Sequence, residues 1–304
     1  MSDIHQAHTA LGDVAARSLA NATKTVPMMG SITPRWLTRL LPWVPVEAGI
    51  YRVNKVKKEN SIAVDCSSLE EKDLPQTFVD YEEWGREYRL SAVNTVLDVH
   101  TRVADLYSSP HNQIEQQLRL TIETIKERQE SELINHQEYG LLKNAVESQK
   151  VKTRNGSPTP DDLDELIARV WKEPAFFLAH PQAIAAFGRE ATRRGTPPPT
   201  VSLFGAQFLT WRGLPLVPSD KLKITKNITN ILLLRTGESR QGVVGLYQPN
   251  LTDEFSMGLS VRFMGINHKA IASYLVSLYC SLAILTDDAV GVLENVKVDN
   301  YYDY

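Results

Sequence analysis

Trp211-Arg212-Gly213-Leu214-Pro215-Leu216-Val217-Pro218 reads as extended chain at the end of a strand-like run over 201–211, and the reading of the second half hangs on it. On its N-terminal side, Thr196-Pro197-Pro198-Pro199 is a stiff extended loop, because consecutive prolines fix φ. Before that loop a helix opens at Pro181, carries Ile184, Phe187, Gly188 and Ala191 on one face, and closes at Arg193-Arg194-Gly195. Cations suit the negative end of the helix dipole, and glycine suits the left-handed residue that stops a helix. On the C-terminal side, strand-like runs recur at 228–234, 242–247 and 258–264. The uncharged run 270–286 is shorter than the roughly 20 apolar residues of a membrane helix, and Ser273, Ser277 and Ser281 interrupt it. Its spacing predicts a helix buried in protein over about 269–282, followed by a last strand around 290–298.

The first half is built differently. Leu11, Val14, Ala15 and Leu19 share a helical face, which predicts a first helix ending before Thr25. Thr33-Pro34 reads as an N-cap with proline behind it, opening a short helix with Trp36, Leu37, Leu40 and Leu41 on one side and Pro42 as its stop. So much apolar surface has to be buried, on the body of the protein or on a neighbour. Residues 44–53 read as a strand with Pro45 at an irregular or edge position. The chain then turns polar to Pro75, and strand character returns at 77–81 and 87–90. That order describes a projecting hairpin with little core of its own, marginal in isolation.

Val93, Val96, Leu97, His100, Val103 and Tyr107 recur at helical spacing. Ser109-Pro110 then caps a longer helix with Ile114, Leu118, Ile122 and Ile125 on one stripe and Arg119, Glu123, Lys126, Glu127 and Glu130 opposite. Running to Ile134, it would be about 37 Å long at 1.5 Å per residue, enough to act as a spine. Thr159-Pro160-Asp161-Asp162 is a further N-cap.

At 304 residues the chain can make one large domain or two modest ones. A formal charge of −3 gives no basic excess for nucleic acid. Cys66 and Cys280 are too few for a disulfide framework, fit a reducing cytosol, and read as small buried hydrophobes. The stretch 1–11 holds Asp3, His5 and His8 without an apolar core, so it is no secretory signal. Only His5 and His8 are close enough to share a metal, and further ligands are missing, so plain solvent exposure is the simpler reading. His100 reads as a core histidine on an apolar helical stripe. Asp161, Asp162, Asp164 and Glu165 occupy a helix first turn, where negative charge complements the dipole, rather than forming an acid–base pair. Gly242 and Gly245 lie in a strand pattern and mark a bulge or close packing. No glycine-rich phosphate loop and no nucleophile-elbow serine occurs. No catalytic, cofactor-binding or metal-ligating set emerges. Trp36, Trp43, Tyr51, Tyr81 and Trp84 concentrate in the arm and hairpin, either as interface aromatics or packed on their own subunit.

This order resembles the HK97-like capsid fold of tailed phages, an α+β fold with an N-terminal arm, an extended loop, a peripheral domain with a spine helix, and an axial domain. Trp211–Pro218 is similar to the "tryptophan, one residue, glycine–leucine–proline–valine" strand of their axial domains, with Leu216 where valine would stand. It follows Phe176-Phe177-Leu178-Ala179-His180-Pro181 as it does there. A closer resemblance is to family 2A encapsulin shell proteins. It is carried by Thr33-Pro34-Arg35-Trp36-Leu37 with Leu41-Pro42-Trp43-Val44, by Gly49-Ile50-Tyr51-Arg52-Val53-Asn54, by the run from Ser108 to Leu120, and by the run from Phe187 to Pro199.

The resemblance implies an arm over 1–43, an extended loop over 44–91 and a peripheral domain over 92–158 completed by C-terminal segments. An axial domain over 159–286 and a C-terminal strand and tail over 287–304 complete the partition. It implies a non-enzymatic subunit of a cytoplasmic nanocompartment, a T=1 shell of 60 copies. The guest would be a cysteine desulfurase of sulfur metabolism or storage, held by a disordered N-terminal targeting segment and carrying the only pyridoxal phosphate. The partners are then the chain itself and its cargo enzyme, with no nucleic acid and no membrane. Cargo-contacting residues are not assigned. Arg193, Arg194, Thr196, Pro197, Pro198 and Pro199 are candidates for an axial loop at a pore, an ordinary turn being the other reading. Trp36, Leu37, Leu40, Leu41 and Trp43 are candidates for contacts between subunits. A phage or prophage capsid protein enclosing DNA is the alternative, and a freestanding enzyme a third.

Overall fold

The chain's path, in a computed structural model that describes residues 12–21, 32–54, 56–57, 63–65 and 73–301, starts at helix α1 (Asp13–Asn21) and short helix α2 (Trp36–Leu40). His5, His8, Leu11 and Cys66 lie outside the described residues. Strands β1 (Trp43–Pro45), β2 (Ile50–Val53), β3 (Arg86–Arg89) and β4 (Ser91–His100) follow, then α3 (Thr101–Leu106), the long α4 (Gln113–Asn135) and α5 (Leu141–Asn144). Next come β5 (Lys150–Lys152), α6 (Pro160–Arg169), β6 (Phe176–Ala179) and α7 (Pro181–Arg193). Strands follow, with one 3-10 turn at Asp287–Ala289 before the last: β7 (Thr200–Leu203), β8 (Ala206–Trp211), β9 (Leu214–Pro218), β10 (Ile228–Leu234), β11 (Val243–Tyr247), β12 (Glu254–Ser256), β13 (Leu259–Ile266), β14 (Ile271–Ile284) and β15 (Val290–Lys297).

Two sheets organise these elements. The peripheral sheet runs β1-β11-β14-β13-β12, with β4 also paired to β14. Across it lies α4, whose Ile122 and Ile125 pack on Leu259, Val276, Leu278 and Cys280. The axial sheet runs β5-β15-β10-β6-β9-β8-β7. Because strand side chains alternate, Phe177, Ile231 and Leu233 face α6 and α7, while Phe176, Leu178, Leu232 and Leu234 face Leu133, Ile134 and α2. Burial on both faces explains why these strands read as unbroken apolar runs.

Long-range pairing overrides several readings from spacing. The expected helix over 93–107 is the strand β4, with only 101–106 helical. Val93 and Leu97 are four apart and satisfy both periods, and ten consecutive pairings with β14 decide for the strand. His100 therefore ends a strand, partly exposed, and is no core histidine. The expected helix over 269–282 is the 14-residue strand β14, flanked by β4, β13 and β11. Its serines at intervals of four fitted either period. The run 201–211 is a hairpin, turning at Phe204 and Gly205, both with positive φ (53° and 77°). The run 44–53 is two strands, and 77–81 holds only the bridge between Val56 and Tyr81. Helix α1 buries Ala16 and Ala20, leaving Val14 and Ala15 exposed.

Cap readings divide. The box at Thr159 and Asp162 and the start of α7 at Pro181 are as expected. Helix α4 is capped by Asn112, whose side chain accepts from Ile114 N and Glu115 N, so Ser109-Pro110 is not the cap. At 23 residues it is about 35 Å long. Thr33 is no cap either, since α2 follows Arg35 in the left-handed region.

The partition at 159–286 also needs correcting. Residues 243–284 supply β11 to β14 of the peripheral sheet, whereas β15, assigned to a C-terminal strand and tail, is an inner strand of the axial sheet. The axial lobe is thus 150–235 with β15 returned to it, and the chain crosses between lobes at 235–243 and 284–290.

Candidate functional site

The N-terminal segment docks on the spine helix α4 through a set of charged and hydroxyl side chains. Thr33 donates from N and Oγ1 to Glu127, at 2.8 and 2.9 Å, and Arg35 pairs with Glu123 and Glu127. Thr38 donates from N and Oγ1 to Glu130. From the axial lobe, Ser219 Oγ donates to Glu130 at 3.1 Å and Lys221 Nζ pairs with Glu127 at 2.8 Å. Segment, spine and axial lobe are joined through two carboxylates that read as solvent-facing and are in fact buried. Burial raises the Glu127 carboxyl, but bonds from Lys221 and Thr33 more than offset it and leave it below its usual range. At Glu130 burial prevails over its bonds from Thr38 and Ser219, and the carboxyl lies above its usual range.

This docking places the five candidate inter-subunit residues within the subunit. Trp36 (7% exposed), Leu37 (0%) and Leu41 (3%) belong to the chain's own main core, with Trp36 edge-on to Phe208 at 5.2 Å. Leu40 and Trp43 are partly buried against the same cluster, and Trp43 Nε1 donates to Thr38 O. Trp36, Leu37 and Leu41 thus spend their apolar surface on their own subunit, while Leu40 and Trp43 keep part of theirs exposed. The second face of the axial sheet needs a cover, and α2 supplies it. In the peripheral sheet, where β1 pairs with β11, a Cβ on Gly245 would stand 2.6 Å from the Trp43 ring, which is the close packing expected of this glycine.

The hairpin arm is a different surface. Strands β2 and β3 pair over four residues, and Lys57 N still donates to Asp80 O further out. At its base Tyr88 Oη donates to Ile284 O, Tyr51 Oη to Glu238 at 2.7 Å, and Arg86 pairs with Asp287 at 3.3 Å. Toward the tip, Leu74 (80%), Phe78 (82%) and Trp84 (86%) are exposed beside Asp80, Glu82 and Glu83. Of the aromatics marked for interfaces, Trp36 and Trp43 therefore serve their own body, Tyr51 the arm's base, and Tyr81 and Trp84 stand outward.

Along α4 runs an apolar groove of about 540 Å³ lined by Ile114, Leu118, Ile122 and Phe255, with Arg119 and Lys126 among the polar residues of its wall. It adjoins a second hollow of about 500 Å³ at Trp43, Arg39 and Met257, with Lys126 shared. The chemistry of this path is apolar with both signs of charge beside it, Glu115 and Glu123 with Arg119 and Lys126 along the groove and Arg35 and Arg39 at the second hollow.

The loop after α7 sits at an exposed corner of the axial lobe. Gly195 takes positive φ (75°), Thr196 Oγ1 donates to Ala191 O, and Pro199 O accepts from Thr210. Arg193 pairs with Glu190, and Arg194 with Glu190 and Asp161, so both candidate pore cations are already neutralised in part. Asp162 completes the cap of α6, Asp164 accepts from Trp211 Nε1 at 2.7 Å and from Arg212, and Glu165 pairs with Arg154. The acidic group is structural. It also ties the opening motif down, since Trp211 packs edge-on to Phe187. Among the described residues no group of three potential metal ligands occurs, and no helix is long and apolar enough to cross a membrane.

An arm, a projecting hairpin, a spine helix and two interleaved lobes define a capsid-type wall subunit with the HK97-like fold. Solved chains of Microbacterium phage Oxtober96 (TM-score 0.62, 12% identity, 93% of this chain and 98% of that one) and of a native GTA particle capsid (0.63, 12%, 91% and 93%) share that fold. The family model for the type 2A encapsulin shell protein SrpI-like matches residues 48–300. The type 2A encapsulin shell protein SrpI of Synechococcus elongatus is 73% identical over 97% of this chain and 96% of its own. A Mycolicibacterium paratuberculosis type 2A shell protein is 63% identical over the full length of both. The solved holo-SrpI encapsulin complex of Synechococcus elongatus superposes with a TM-score of 0.85 at 70% identity, covering 97% of this chain and 99% of that one. The chain belongs to the type 2A encapsulin shell proteins, and it is a structural subunit of a capsid-like compartment rather than an enzyme.

Proposed function

We propose that the compartment is a T=1 shell of 60 copies in the cytoplasm, closed by the hairpin arm of each copy lying in the spine-helix groove of another. The observation that carries this is complementarity. The arm offers Leu74, Phe78 and Trp84 with Asp80, Glu82 and Glu83, and the groove offers Ile114, Leu118 and Phe255, with Glu115 and Glu123 beside Arg119 and Lys126 and with Arg39 at its Trp43 end. Exposed apolar groups of that size call for a partner surface, and opposite charge favours its register. The guest is a cysteine desulfurase held by its N-terminal extension, with pyridoxal phosphate on the guest alone, which places the compartment in sulfur metabolism or storage. The resemblance of this chain to family 2A shells supports that assignment. The loop at Arg193–Arg194 and Thr196–Pro199 forms the rim of an opening, with stiff prolines supporting it.

Expression alone followed by electron microscopy tests the shell: uniform hollow particles with 60 subunits are expected, and another symmetry overturns T=1. Coexpression with a cysteine desulfurase tests the guest. It should copurify inside the particle, and deleting its N-terminal extension should abolish loading. Retention without the extension removes the targeting reading, and no loading at all removes the guest. A DNA-filled capsid is not favoured, since likeness to phage chains at 12% identity carries fold alone. Nuclease-protected DNA in the particles would reinstate it.

A further inference from the structure

The arm has almost no core of its own, so its direction is set where it is fastened. Its side-chain hydrogen bonds and ion pairs to the body fall on one place, the pair of crossovers between the lobes. Tyr51 Oη donates to Glu238 at 2.7 Å on the 235–243 crossover. Arg86 Nη2 reaches Asp287 at 3.3 Å, and Tyr88 Oη donates to Ile284 O, both on the 284–290 crossover. The crossovers are tied to each other by Arg235, buried and bonded to Thr286 and Asp288, and by Thr286 Oγ1 donating to Gln241 O. Burial and the Glu238 bond push the Tyr51 phenol up to about 12, so it remains a donor throughout the physiological range. Apolar packing of Tyr51, Val53, Tyr88 and Leu90 on Val244, Leu246, Ala283 and Leu285 seats the base, and beyond it an open cleft of about 630 Å³ lies between arm and crossover, so the polar contacts at its edge are what hold the arm's outward direction.

We infer that Tyr51, Arg86, Glu238 and Asp287 form a joint that sets the angle of the arm to the lobes and thereby the diameter of the shell. The lever is long. Lys57, six residues beyond Tyr51, lies about 20 Å out at 3.3 Å per residue, so a swing of roughly 10° at the base moves it by about 3.5 Å. A closed wall of identical copies fixes its copy number by the angle between neighbours. Tyr51, Arg86, Glu238 and Asp287 are positioning residues for assembly, distinct from those that make the contact. The inference rests on the reading that the arm reaches another copy.

Full-length Tyr51→Phe/Glu238→Gln and Arg86→Asp are expressed, and particle diameters are measured by electron microscopy. Both should still assemble, with the spread of diameters widened at least two-fold or a second size class present. Arg86→Asp/Asp287→Arg, which restores the pair with its signs exchanged, should return one class, a rescue that a loss of folding would not show. Wild-type diameters in both variants overturn the joint, and so does failure of the exchanged pair to narrow the distribution. If a variant does not fold, Tyr51→Phe alone decides, because it removes one hydroxyl: an unchanged diameter overturns the proposal. The arm reading is tested separately by Phe78→Ser/Trp84→Ser. Normal assembly of that variant overturns the arm reading, whereas blocked assembly with wild-type diameters in the joint variants overturns the joint alone.

Discussion

Arg235 Nη2 meets Asp288 Oδ1 at 2.6 Å, with the arginine 1% exposed at the end of β10 and the aspartate just before β15. The pair sits where the chain has left one sheet and is about to rejoin it, and Lys172 approaches the same carboxylate at 3.1 Å. Asp288→Asn leaves a buried guanidinium without its counter-charge. The expected cost is about 3 kcal/mol, the low end for a broken buried pair, because the carboxylate is partly exposed. Thermal unfolding of the purified shell checks it, and a midpoint unchanged from wild type contradicts the assignment.

The pair also has an acid signature. Burial raises the Asp288 carboxyl, but the bonds from Arg235, Thr286 and Lys172 outweigh it and hold the group well below the usual carboxylate range. A depressed folded value means the contribution is complete above the unfolded pKa of about 3.9 and is lost as pH falls below it. The stability gap between wild type and Asp288→Asn should be flat from pH 7 to about 5 and shrink toward pH 2. Unfolding midpoints across that series measure it.

Glu130 has the opposite sign. Burial lifts its carboxyl above the usual range, so the folded state holds its proton more tightly than the unfolded chain. Its contribution is complete below the unfolded pKa of about 4.3 and is lost as pH rises toward the folded value. Glu130→Gln removes that slope while keeping one acceptor oxygen, enough for Thr38 or for Ser219. The stability of the variant minus that of wild type should rise between pH 4 and pH 7, and a difference that falls over this interval contradicts the reading.

Leu37→Ala and Phe78→Ala separate the two apolar surfaces near the N-terminal half. Leu37 is fully buried in its own subunit, so truncation should cost about 2–5 kcal/mol of stability. Phe78 is 82% exposed, and its loss should leave subunit unfolding within about 0.5 kcal/mol while reducing assembled particles. Denaturant titration and light scattering read the two effects independently.

Gly245→Ala places a methyl 2.6 Å from the Trp43 ring, and overpacking there should cost about 1–3 kcal/mol. Trp43→Leu in the same chain frees the space and should recover part of the loss. Thermal shift measures both.

Much of the axial lobe was readable because its signals are local. Thr159-Pro160, Pro181 and Gly195 mark helix ends by backbone chemistry that needs no distant partner, and strands β10 and β15 stand where their apolar runs predict. The peripheral lobe was not so readable. Val93 with Leu97, and Ser273 with Ser277, repeat at a spacing that serves a helix and a strand alike, and only the ladder between β4 and β14 chooses. Glu127 and Glu130 gave no warning of burial, because their partners lie about 90 residues away in sequence. Arg235 could have been suspected, as a charge ending an apolar strand, although its partner could not.

By itself, then, the sequence determined the two helices α6 and α7 with strand after them, the strands β10 and β15, a projecting polar hairpin, and the resemblance that names the family. Capping, turn and apolar-run signals, like the motif words at 33–44 and 187–199, are short-range. Only the tertiary structure decided that α2 is a core element, that 243–284 belongs to the peripheral sheet, and that the arm is fastened at the crossovers. Those outcomes depend on hydrogen-bond ladders and buried charge pairs between residues far apart in the chain, whose free energy exists only once both partners are in place.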